Sequence, residues 1–486
     1  MAKFTFIDLF AGIGGFRIGL QHAGGECIGF SEIAQDAIYA YTENFNEDDS
    51  KNFGDITKLK DLPKHDFMTA GVPCQSWSIA GKNLGFDDDR GQLWNDTLFL
   101  LNKVRPKAFI FENVKGLADP RNTDALEYIL ARIKKAGYYA EKYILNAYDY
   151  GVPQNRVRIY IIGFRDKKYF QKFKLPTTCP GKVRLADVLD GFTNLDTQTH
   201  IDQRARWSLS CNEHGLNDYF LFNDLRNGNT TIHSWDIIPT TDREKEICYY
   251  LLKNRRKKDY GDLDGNPLSL KHFQDIDPSI SSAELIGLVK KGILKRVEYL
   301  FKVTNQSCVI SSEEEFVLSF AEKGFINYDQ VKINREVKKR KIDISTILYN
   351  LKNIGKIKCV EIRYDFKNTK ISTGLNGINR IFLPSAKIYP TLVASDTNDY
   401  IATLPLTSND IETFRERFLS EIFHPHNYRR ITKSEACRIQ GFPDSFKFIY
   451  NDVNYGYKMI GNAVPVNLAY HIAKQIKNTL TEKGIY

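Results

Sequence analysis

Several features that would restrict the function of this protein are missing from its sequence. The eight cysteines form no CxxC pair and no Cys/His cluster at zinc-ligand spacing, which argues against a disulfide framework and a metal site. No apolar run approaches the roughly 18 residues that a membrane span requires. The first residues, MAKFTFIDLF, lack a charged segment followed by a cleavable apolar stretch. We therefore expect a cytoplasmic protein with no bound metal and no membrane association.

The chain is long enough for two or three folded domains. It has 486 residues, of which 42% are hydrophobic. The 68 Lys and Arg residues outnumber the 59 Asp and Glu residues, which gives a net charge of +9. This excess favours a polyanionic partner but does not require one, because many basic proteins bind no nucleic acid.

The first third of the chain has the pattern of a doubly wound α/β fold. Short apolar runs alternate with helical periodicity from residue 3 to about residue 165. The predicted strands are KFTFIDL, ECIGF, DFMTA, KAFIFEN, AEKYILN and RIYIIGF. Between two of them, TDALEYILARIKKAG places its apolar residues on one helical face, and Gly137 stands where the helix would end.

The alternation stops after about residue 166, and this change divides the chain. We predict a first domain over residues 1–166, a second α+β domain over 167–427, and a C-terminal segment over 428–486. In the second domain, residues 282–303 and 344–364 share a pattern of helix, glycine and strand. This pattern fits two winged-helix units or ordinary α+β packing. The C-terminal segment contains a helix whose apolar side should pack on the first domain, formed by Val466, Leu468, Ala469, Ile472 and Ile476.

Polar residues follow the predicted strands at the edge where open parallel sheets bind ligands. The first strand contains Asp8 and leads into FAGIGGF, whose Gly12, Gly14 and Gly15 let a ligand approach the backbone at a helix N-terminus. Glu32 follows the second strand, and its carboxylate can accept both hydroxyls of a ribose. The combination indicates a nucleoside cofactor without distinguishing NAD from S-adenosylmethionine. A tight turn with no ligand is the alternative.

Two features favour S-adenosylmethionine over NAD. The glycine pattern is G-x-G-G, which lacks the third glycine of the dinucleotide fingerprint. Asp55, in the run GDI, follows at the next strand end and suits an adenine amino group. An NAD dehydrogenase, which rests on the glycine turn alone, is the competing interpretation.

Four further residues suggest chemistry at the same edge. Cys74 follows the strand DFMTA, and its thiolate would be a nucleophile, although most single cysteines are small buried hydrophobes. Glu112 ends an apolar strand, where burial favours a protonated carboxyl that can donate to a ring nitrogen; capping a turn is the simpler role. Arg156 and Arg158 share one side of an extended segment and suit a carbonyl oxygen or a phosphate, or are merely solvated.

In order and spacing, these segments resemble the C5-cytosine DNA methyltransferase family. The matching runs are DLFAGIGGFRIGL, the acid in SEIAQDA, GDI, AGVPCQSWSIAGKNLGF with DDRGQLW, FENV, NAYDYGVPQNRVRIYIIG, RRITKSEACRIQGFPDSF and IGNAV. They cover roughly residues 3–165 and 428–480. Residues 170–425 match no motif and occupy the place of the family's target recognition domain.

The resemblance implies a doubly wound mixed sheet of the S-adenosylmethionine-dependent methyltransferase type, with an inserted α+β target recognition domain. The catalytic and cofactor-binding domain would be residues 1–166. A monomer would act on double-stranded DNA and flip out a cytosine. Cys74 would attack C6 and Glu112 would protonate N3, so that C5 can accept the methyl group of S-adenosylmethionine. Arg158 would hold the O2 side of the base, with Arg156 and Gln154 in support.

The resemblance also implies further contacts to the cofactor and to DNA. The additional cofactor-binding residues would be Phe10, Ile33, Ile56, Pro73, Leu93, Asn462 and Ala463. Ile33 stands where some family members have an aromatic residue that stacks on adenine. The loop after Cys74 would close over the DNA, with contacts from Gln75, Ser78, Gly81, Arg90 and Gln154.

Other interpretations keep the same fold. One branch of the family methylates transfer RNA, but that branch usually has a short recognition segment, so the long middle region favours DNA. A catalytically silent DNA-binding protein is a second alternative, against which the intact Cys74, Glu112 and Arg158 argue. The basic runs at 253–258 and 333–341 would contact phosphates or simply be solvated. The family-level expectation is the modification enzyme of a bacterial restriction system.

Overall fold

The described residues form two compact units. The computed structural model describes residues 4–73, 89–192, 219–221, 233–263, 265–367, 380–386, 388–393, 399–406, 411–448 and 453–481. Those of the first unit lie within Met1–Ile201 and Phe382–Tyr486, and those of the second within Tyr219–Ile381. Described residues in 167–192 and 382–427, which the sequence-based division assigns to the middle domain, thus cluster with the first unit.

The first unit begins with alternating strands and helices, as the sequence predicts. In chain order they are β1 (Phe4–Leu9), α1 (Gly15–His22), β2 (Gly25–Ser31), α2 (Gln35–Phe45), β3 (Phe67–Gly71), α3 (Asp89–Val104), β4 (Ala108–Val114), α4 (Thr123–Lys135), β5 (Tyr139–Asn146), β6 (Gln154–Asn155), β7 (Val157–Phe164), α5 (Lys167–Lys172) and α6 (Leu185–Val188). The six predicted strands and the predicted crossover helix are confirmed. Gly137, just beyond α4, has a φ of 81° and ends that helix.

The central sheet of the first unit is mixed. Its strand order is β2-β1-β3-β4-β7-β5. Strands β1 to β4 are parallel, and β7 runs antiparallel to both β4 and β5. This order confirms the predicted doubly wound α/β fold with a mixed sheet. The parallel strands end together, so the residues that follow them meet at one edge.

The second unit contains many short helices and one antiparallel sheet. In chain order its elements are β8 (Tyr219–Leu221), α7 (Ser234–Ile237), α8 (Asp242–Asn254), β9 (Leu268–Ser269), α9 (Leu270–Ile276), α10 (Ser282–Lys290), β10 (Leu294–Val303), α11 (Ser312–Leu318), β11 (Phe325–Asn327), α12 (Tyr328–Ile333), α13 (Arg335–Arg340), α14 (Ile344–Asn353), β12 (Ile357–Phe366) and β13 (Arg380–Phe382). The sheet has the order β11-β10-β12-β9. Both predicted helix, glycine and strand patterns are present, as α10 with β10 and α14 with β12.

The C-terminal part of the chain returns to the first unit. Its elements are β14 (Tyr389–Pro390), β15 (Asp399–Ala402), α15 (Ile411–Arg417) with a π-helical continuation (Phe418–Phe423), β16 (Tyr428–Arg429), α16 (Lys433–Ile439), α17 (Val453–Asn462) and α18 (Val466–Thr481).

Helix α18 packs against α1, and its five predicted apolar residues are buried; Leu468, Ala469, Ile472 and Ile476 share one core with strands of the central sheet. A Cβ at Gly15 would collide with the backbone carbonyl of Val464, and one at Gly19 would lie 2.7 Å from the Ala469 Cβ. Gly19 therefore allows the close approach of α1 and α18, and Gly15 allows that of α1 and the segment leading into α18.

Candidate active site

The strand register brings the predicted chemical groups to one edge of the sheet. Asp8 on β1 lies opposite Thr69 on β3, and Gly71 at the end of β3 lies opposite Glu112 on β4. Asn113 donates a hydrogen bond from its side-chain amide to the Val72 carbonyl oxygen, 3.0 Å away. This bond, which the sequence analysis did not anticipate, fixes the segment that leads to Pro73. Cys74, Gln75, Ser78 and Gly81 lie outside the described residues.

The glycine turn after β1 adopts conformations that leave room for a ligand. Phe10 and Gly12 have φ angles of 53° and 54°, and Gly14 has a φ of 89°. A Cβ at Gly14 would lie 2.5 Å from the Phe45 ring, so the inner side of the turn is filled. A Cβ at Gly12 would meet no described atom within 4 Å. The backbone at Gly12 is therefore open to a cofactor on its outer side.

Glu32 connects the two turns that would hold a nucleoside. Its Oε2 accepts a hydrogen bond from the Gly12 amide at 2.8 Å. Its Oε1 accepts hydrogen bonds from the amides of Ile33 and Ala34 at 2.8 and 2.9 Å. A carboxylate has about four acceptor sites, so these bonds leave capacity for ribose hydroxyls. The neighbouring Ile33 is 67% exposed and offers an aliphatic contact rather than an aromatic one.

Asn52, for which the sequence predicts no role, supports the turn that carries Glu32. Its Oδ1 accepts hydrogen bonds from the amides of Glu32 and Gly54 at 3.1 and 3.0 Å, and its Nδ2 donates to the Glu32 carbonyl oxygen at 3.1 Å. It therefore holds the Glu32 turn against the turn that carries Asp55. The Asp55 carboxylate accepts hydrogen bonds from the Thr57 hydroxyl and amide, which lower the pKa of Asp55. Asp55 is thus an oriented anion, as an adenine amino group would require.

Asp8 is a buried carboxyl with one unused oxygen. The Thr69 hydroxyl donates to its Oδ1 at 2.8 Å, whereas Oδ2 has no partner among the described residues. Burial raises the pKa of Asp8 from 3.8 to about 7. A buried acceptor without a partner is costly, so a cationic or hydrogen-bonding group of a ligand would be favoured beside it.

Glu112 and Arg158 form a pair on adjacent strands. Glu112 is 8% exposed, and its Oε1 lies 3.3 Å from the Nε of Arg158. Burial raises the pKa of Glu112, and this effect outweighs the lowering by Arg158 and Arg156. The pair therefore joins a carboxyl that tends to keep its proton to a guanidinium that is partly accessible, beside the strand end that leads to Cys74.

Arg156 has a different environment from Arg158. It is 2% exposed, and its guanidinium donates to the carbonyl oxygens of Leu392, Gly461 and Ala463 at 2.9, 2.9 and 3.0 Å. These bonds attach the end of α17, which carries Asn462, to the strand of Arg156. The Arg156 guanidinium therefore binds backbone carbonyl oxygens in the interior of the first unit.

Gln154 and Gln440 extend this buried network. Gln154 has no exposed surface, and its amide donates to the Gln440 side chain and to the Ile439 carbonyl oxygen, both at 3.4 Å. Gln440 in turn donates to the Ile460 carbonyl oxygen at 2.8 Å. In this arrangement the Gln154 side chain faces the interior of the first unit, so a contact with DNA would require it to leave this position. Gln440 lies in the run RIQGF, and the sequence predicts no individual role for it.

The remaining predicted cofactor and DNA residues occupy varied environments. Ile56 is in the apolar core and Leu93 packs partly against it. Asn462 is exposed, whereas Ala463 is buried and accepts a hydrogen bond through its carbonyl oxygen. Arg90 lies in the first turn of α3, and its side chain is outside the described part of the structure.

The described residues contain neither a cluster of metal-ligating side chains nor a helix suited to span a membrane. No group of three or more His, Cys, Asp or Glu side chains is arranged to hold a metal ion in the described part of the chain. Among the described helices, none is both long and apolar enough to cross a membrane.

Comparison with known proteins gives consistent matches over the full length. The model of the C-5 cytosine-specific DNA methylase family matches residues 4–478. The type II methyltransferase M.HgiCII of Herpetosiphon aurantiacus is 39% identical, with 98% of each chain covered. The type II methyltransferase M.HgiBI of the same organism is 37% identical over 98% of this chain and 97% of its own. The type II methyltransferase M.BanI of Aneurinibacillus aneurinilyticus is 29% identical over 99% of this chain and 97% of its own.

Proposed function

The chain belongs to the C-5 cytosine-specific DNA methylase family, and on this premise we propose how it recognises its substrates and performs the reaction. It is a DNA (cytosine-5-)-methyltransferase. We propose that it methylates one cytosine within a specific double-stranded sequence and so protects DNA from a cognate restriction endonuclease. The similarity to relatives named type II methyltransferases supports this role. We further propose a cytoplasmic monomer that uses no metal.

The residues at the sheet edge fit S-adenosylmethionine, the methyl donor that the family uses. Gly12 and the turn from Phe10 to Gly15 would hold the amino acid part, where the free Oδ2 of Asp8 suits an ammonium group. Glu32 would bind the ribose, and Ile33, Asp55 and Ile56 the adenine. Pro73, Leu93, Asn462 and Ala463 would complete the site. When bound, the sulfonium supplies an electrophilic methyl group.

We assign the chemistry on the base to Cys74, Glu112 and Arg158. The Cys74 thiolate adds to C6 of an extruded cytosine while the Glu112 carboxyl delivers its proton to N3, so that negative charge does not accumulate in the ring. C5 becomes nucleophilic enough to accept the methyl group. Water then removes the C5 proton, the Cys74 sulfur leaves C6, and N3 returns its proton to Glu112.

The observation that carries this proposal is the Glu112–Arg158 pair. A carboxyl with a raised pKa beside a guanidinium, at the strand end that leads to Cys74, provides a proton donor and a ligand for the O2 of cytosine. Arg156 acts as a positioning residue, because its guanidinium contacts only backbone carbonyl oxygens in the bonds described above. The loop with Gln75, Ser78 and Gly81, together with Arg90 of α3, would hold the extruded base, and Gln154 would support the site from the interior of the first unit.

The domain roles follow from these assignments. Residues 1–166 supply the catalytic and cofactor-binding groups, and residues 428–486 complete that site through Asn462 and Ala463. We propose that residues 167–427 include the target recognition domain, for which the second unit is the structural candidate.

Covalent capture on DNA tests the reaction. In duplex DNA with 5-fluorocytosine at the target position, C5 carries fluorine in place of hydrogen. A base cannot remove fluorine as it removes a proton, so Cys74 cannot leave and the thioether at C6 persists. We expect denaturation-resistant adducts with the natural chain and none with Cys74→Ser. Cys308→Ser is the matched control, because Cys308 is a partly exposed thiol of the second unit, and this variant should be captured normally. Capture that survives Cys74→Ser would eliminate the proposed nucleophile.

A further inference from the structure

The second unit contains one structural motif twice. Identical residues recur at a constant offset in the segments that form α10 with β10 and α14 with β12. The pairs are Ser282 and Ser345, Leu285 and Leu348, Leu288 and Leu351, Gly292 and Gly355, Lys295 and Lys358, Val297 and Val360, and Glu298 and Glu361. We name the part of the unit from β9 to β10 the first copy and the part from β11 to β12 the second copy.

The two helices end in the same way at the atomic level. Gly292 and Gly355 have φ angles of 77° and 74°, just after α10 and α14 respectively. The amide of Ile293 donates to the Leu288 carbonyl oxygen at 3.1 Å, and the amide of Lys356 donates to the Leu351 carbonyl oxygen at 2.9 Å. Both ends are therefore the same glycine-terminated cap.

The sheet relates the two copies by a pseudo-two-fold axis. The β10 and β12 strands pair antiparallel. When each residue is replaced by its counterpart in the other copy, the pair Leu294–Phe366 becomes Ile357–Val303, which is also a pair of the sheet. The outer strands obey the same rule: β9 pairs with β12 and β11 with β10, through Ser269–Arg363, Leu268–Tyr364, Asn327–Leu300 and Ile326–Phe301. The short strand of each copy therefore pairs with the long strand of the other copy.

The copies differ in the segment that precedes the last helix. In the first copy a short turn connects α9 to α10. In the second copy α13 occupies this place, and the turn from Lys341 to Asp343, in which Lys341 has a φ of 56°, leads into α14. Val337 of α13 and Ile347 of α14 are buried in one apolar core. Two packed helices joined by a three-residue turn have the arrangement of a helix-turn-helix, whereas the turn between α9 and α10 in the first copy is longer, over residues 277–281.

The outward face of α14 is suited to reading base edges. Its exposed residues are Ser345, Thr346, Tyr349, Asn350 and Asn353. All of them carry hydrogen-bonding groups, and the helix has no carboxylate. Asparagine can form two hydrogen bonds with adenine in the major groove. The equivalent positions of α10 are Ser282, Ala283, Ile286, Gly287 and Lys290, which offer far fewer hydrogen-bonding groups.

The charges of the two copies point to the same distinction. Beside α10 two cations are paired with carboxylates: Arg243 lies 3.0 Å from Glu284, and Lys291 lies 2.6 Å from Glu244. In α13, by contrast, Lys338 and Lys339 are exposed and form no ion pair with the described residues, so their charges can contact a partner. Lys341 in the turn is also exposed. Free lysines beside a polar helix complement the phosphates that flank a DNA groove.

We propose that α13, its turn and α14 form the element with which this enzyme reads duplex DNA, and that the first copy serves as its scaffold. Helix α14 enters the major groove, where Asn350 and Asn353 contact base edges. Lys338, Lys339 and Lys341 contact the phosphates beside it. This inference rests on the proposed function of the second unit as the target recognition domain.

Base reading is tested by a pair of matched double variants of the full chain. Asn350→Ala with Asn353→Ala removes the proposed base contacts, and Ser282→Ala with Lys290→Ala alters equivalent or nearby positions of α10. Both pairs are exposed, so folding should not change. Equilibrium binding to a randomised duplex library should show at least a tenfold weaker and less sequence-selective interaction for the α14 variant. The α10 variant should bind as the natural chain does.

The binding readout does not depend on catalysis. If the natural chain binds a defined sequence but methylates none, the proposed function fails, while the comparison of α14 with α10 still decides this inference. Unchanged affinity and unchanged selectivity in the α14 variant would overturn it. Affinity for S-adenosylmethionine should be equal in all three proteins.

The phosphate contacts have a separate signature. Lys338→Gln with Lys339→Gln should weaken binding to all sequences alike and reduce the slope of log affinity against log salt by about 2, because each phosphate contact contributes roughly 0.9 to this slope. Lys271→Gln with Lys290→Gln removes two exposed lysines of the first copy and should leave the slope unchanged. Equal slopes in the two variants would refute the placement of α13 on DNA.

Discussion

Arg156→Ala should weaken both the fold of the first unit and its affinity for S-adenosylmethionine. The guanidinium donates three hydrogen bonds to the carbonyl oxygens of Leu392, Gly461 and Ala463, and it is almost completely buried. Two of these acceptors flank Asn462, which we assign to the cofactor site. Removal of the side chain therefore frees the end of α17 at the position where it would meet the cofactor.

The size of the effect follows from these bonds. A hydrogen bond to a charged group contributes about 1.5–3 kcal/mol, so independent loss of all three would cost about 5–9 kcal/mol. The bonds share one side chain, and water can enter the space left by it, so the losses are not additive. We therefore expect the free energy of unfolding to fall by about 3–5 kcal/mol, less than this sum. If about 1.4 kcal/mol is needed to reorder the loop on binding, the Kd for S-adenosylmethionine rises tenfold.

Denaturant unfolding and calorimetric titration with S-adenosylmethionine measure the two effects. Arg156→Lys serves as a milder variant that keeps the charge but cannot reach all three oxygens with a planar fork. Arg165→Ala is the control, because Arg165 is exposed and its Nη1 donates to the Arg105 carbonyl oxygen. A large loss of stability with unchanged cofactor affinity would refute the link from Arg156 to the cofactor site. Unchanged stability would refute the claim that the three hydrogen bonds of Arg156 stabilise the fold.

Two further predictions concern titration of the buried carboxyls. Glu112→Gln should slow methyl transfer by about 10²–10⁴-fold; it should also remove the decline in rate that the natural enzyme shows as pH rises through the raised pKa of Glu112, and identical pH profiles in single-turnover assays would exclude Glu112 as the acid. The pKa of Asp8 is about 7 when folded against 3.8 ordinarily, so the proton stabilises the fold below pH ~4, and up to about 4 kcal/mol is lost as pH rises to about 7. Asp8→Asn keeps this position neutral and should melt at a more constant temperature across that range; a pH dependence equal to that of the natural chain would contradict the assignment.

The sequence predicted the first half of the fold because local pattern determines it. Strands such as KAFIFEN and RIYIIGF are continuous apolar runs, which is how buried strands of a sheet covered on both faces appear. Helix α18 was predictable for the same reason, since its apolar residues recur with helical spacing. The strand-end positions of Asp8, Glu32 and Glu112 then followed from topology alone.

The partners of those residues were not predictable, because they come from distant parts of the chain. Asn113 reaches the Val72 carbonyl oxygen, and Gln440 joins Gln154 across most of the sequence. Asn52 lies in a short turn with no apolar periodicity and holds the Glu32 turn through its side chain. A polar residue that binds backbone atoms leaves no periodic signal, so its role is visible only once the fold places its partner beside it.

The two copies in the second unit show which structural features a local sequence pattern can predict. The helix, glycine and strand pattern is visible twice in the sequence because caps and apolar spacing are local properties. The pairing of Arg243 with Glu284 and of Lys291 with Glu244 is not local, and it neutralises two cations beside α10, whereas Lys338 and Lys339 of α13 form no ion pair with the described residues. Two copies with related folds can therefore differ in function through their surface side chains and through the helix that precedes the last helix. For this reason the proposed role of α14 is tested best against α10, which shares its backbone geometry and lacks its polar face.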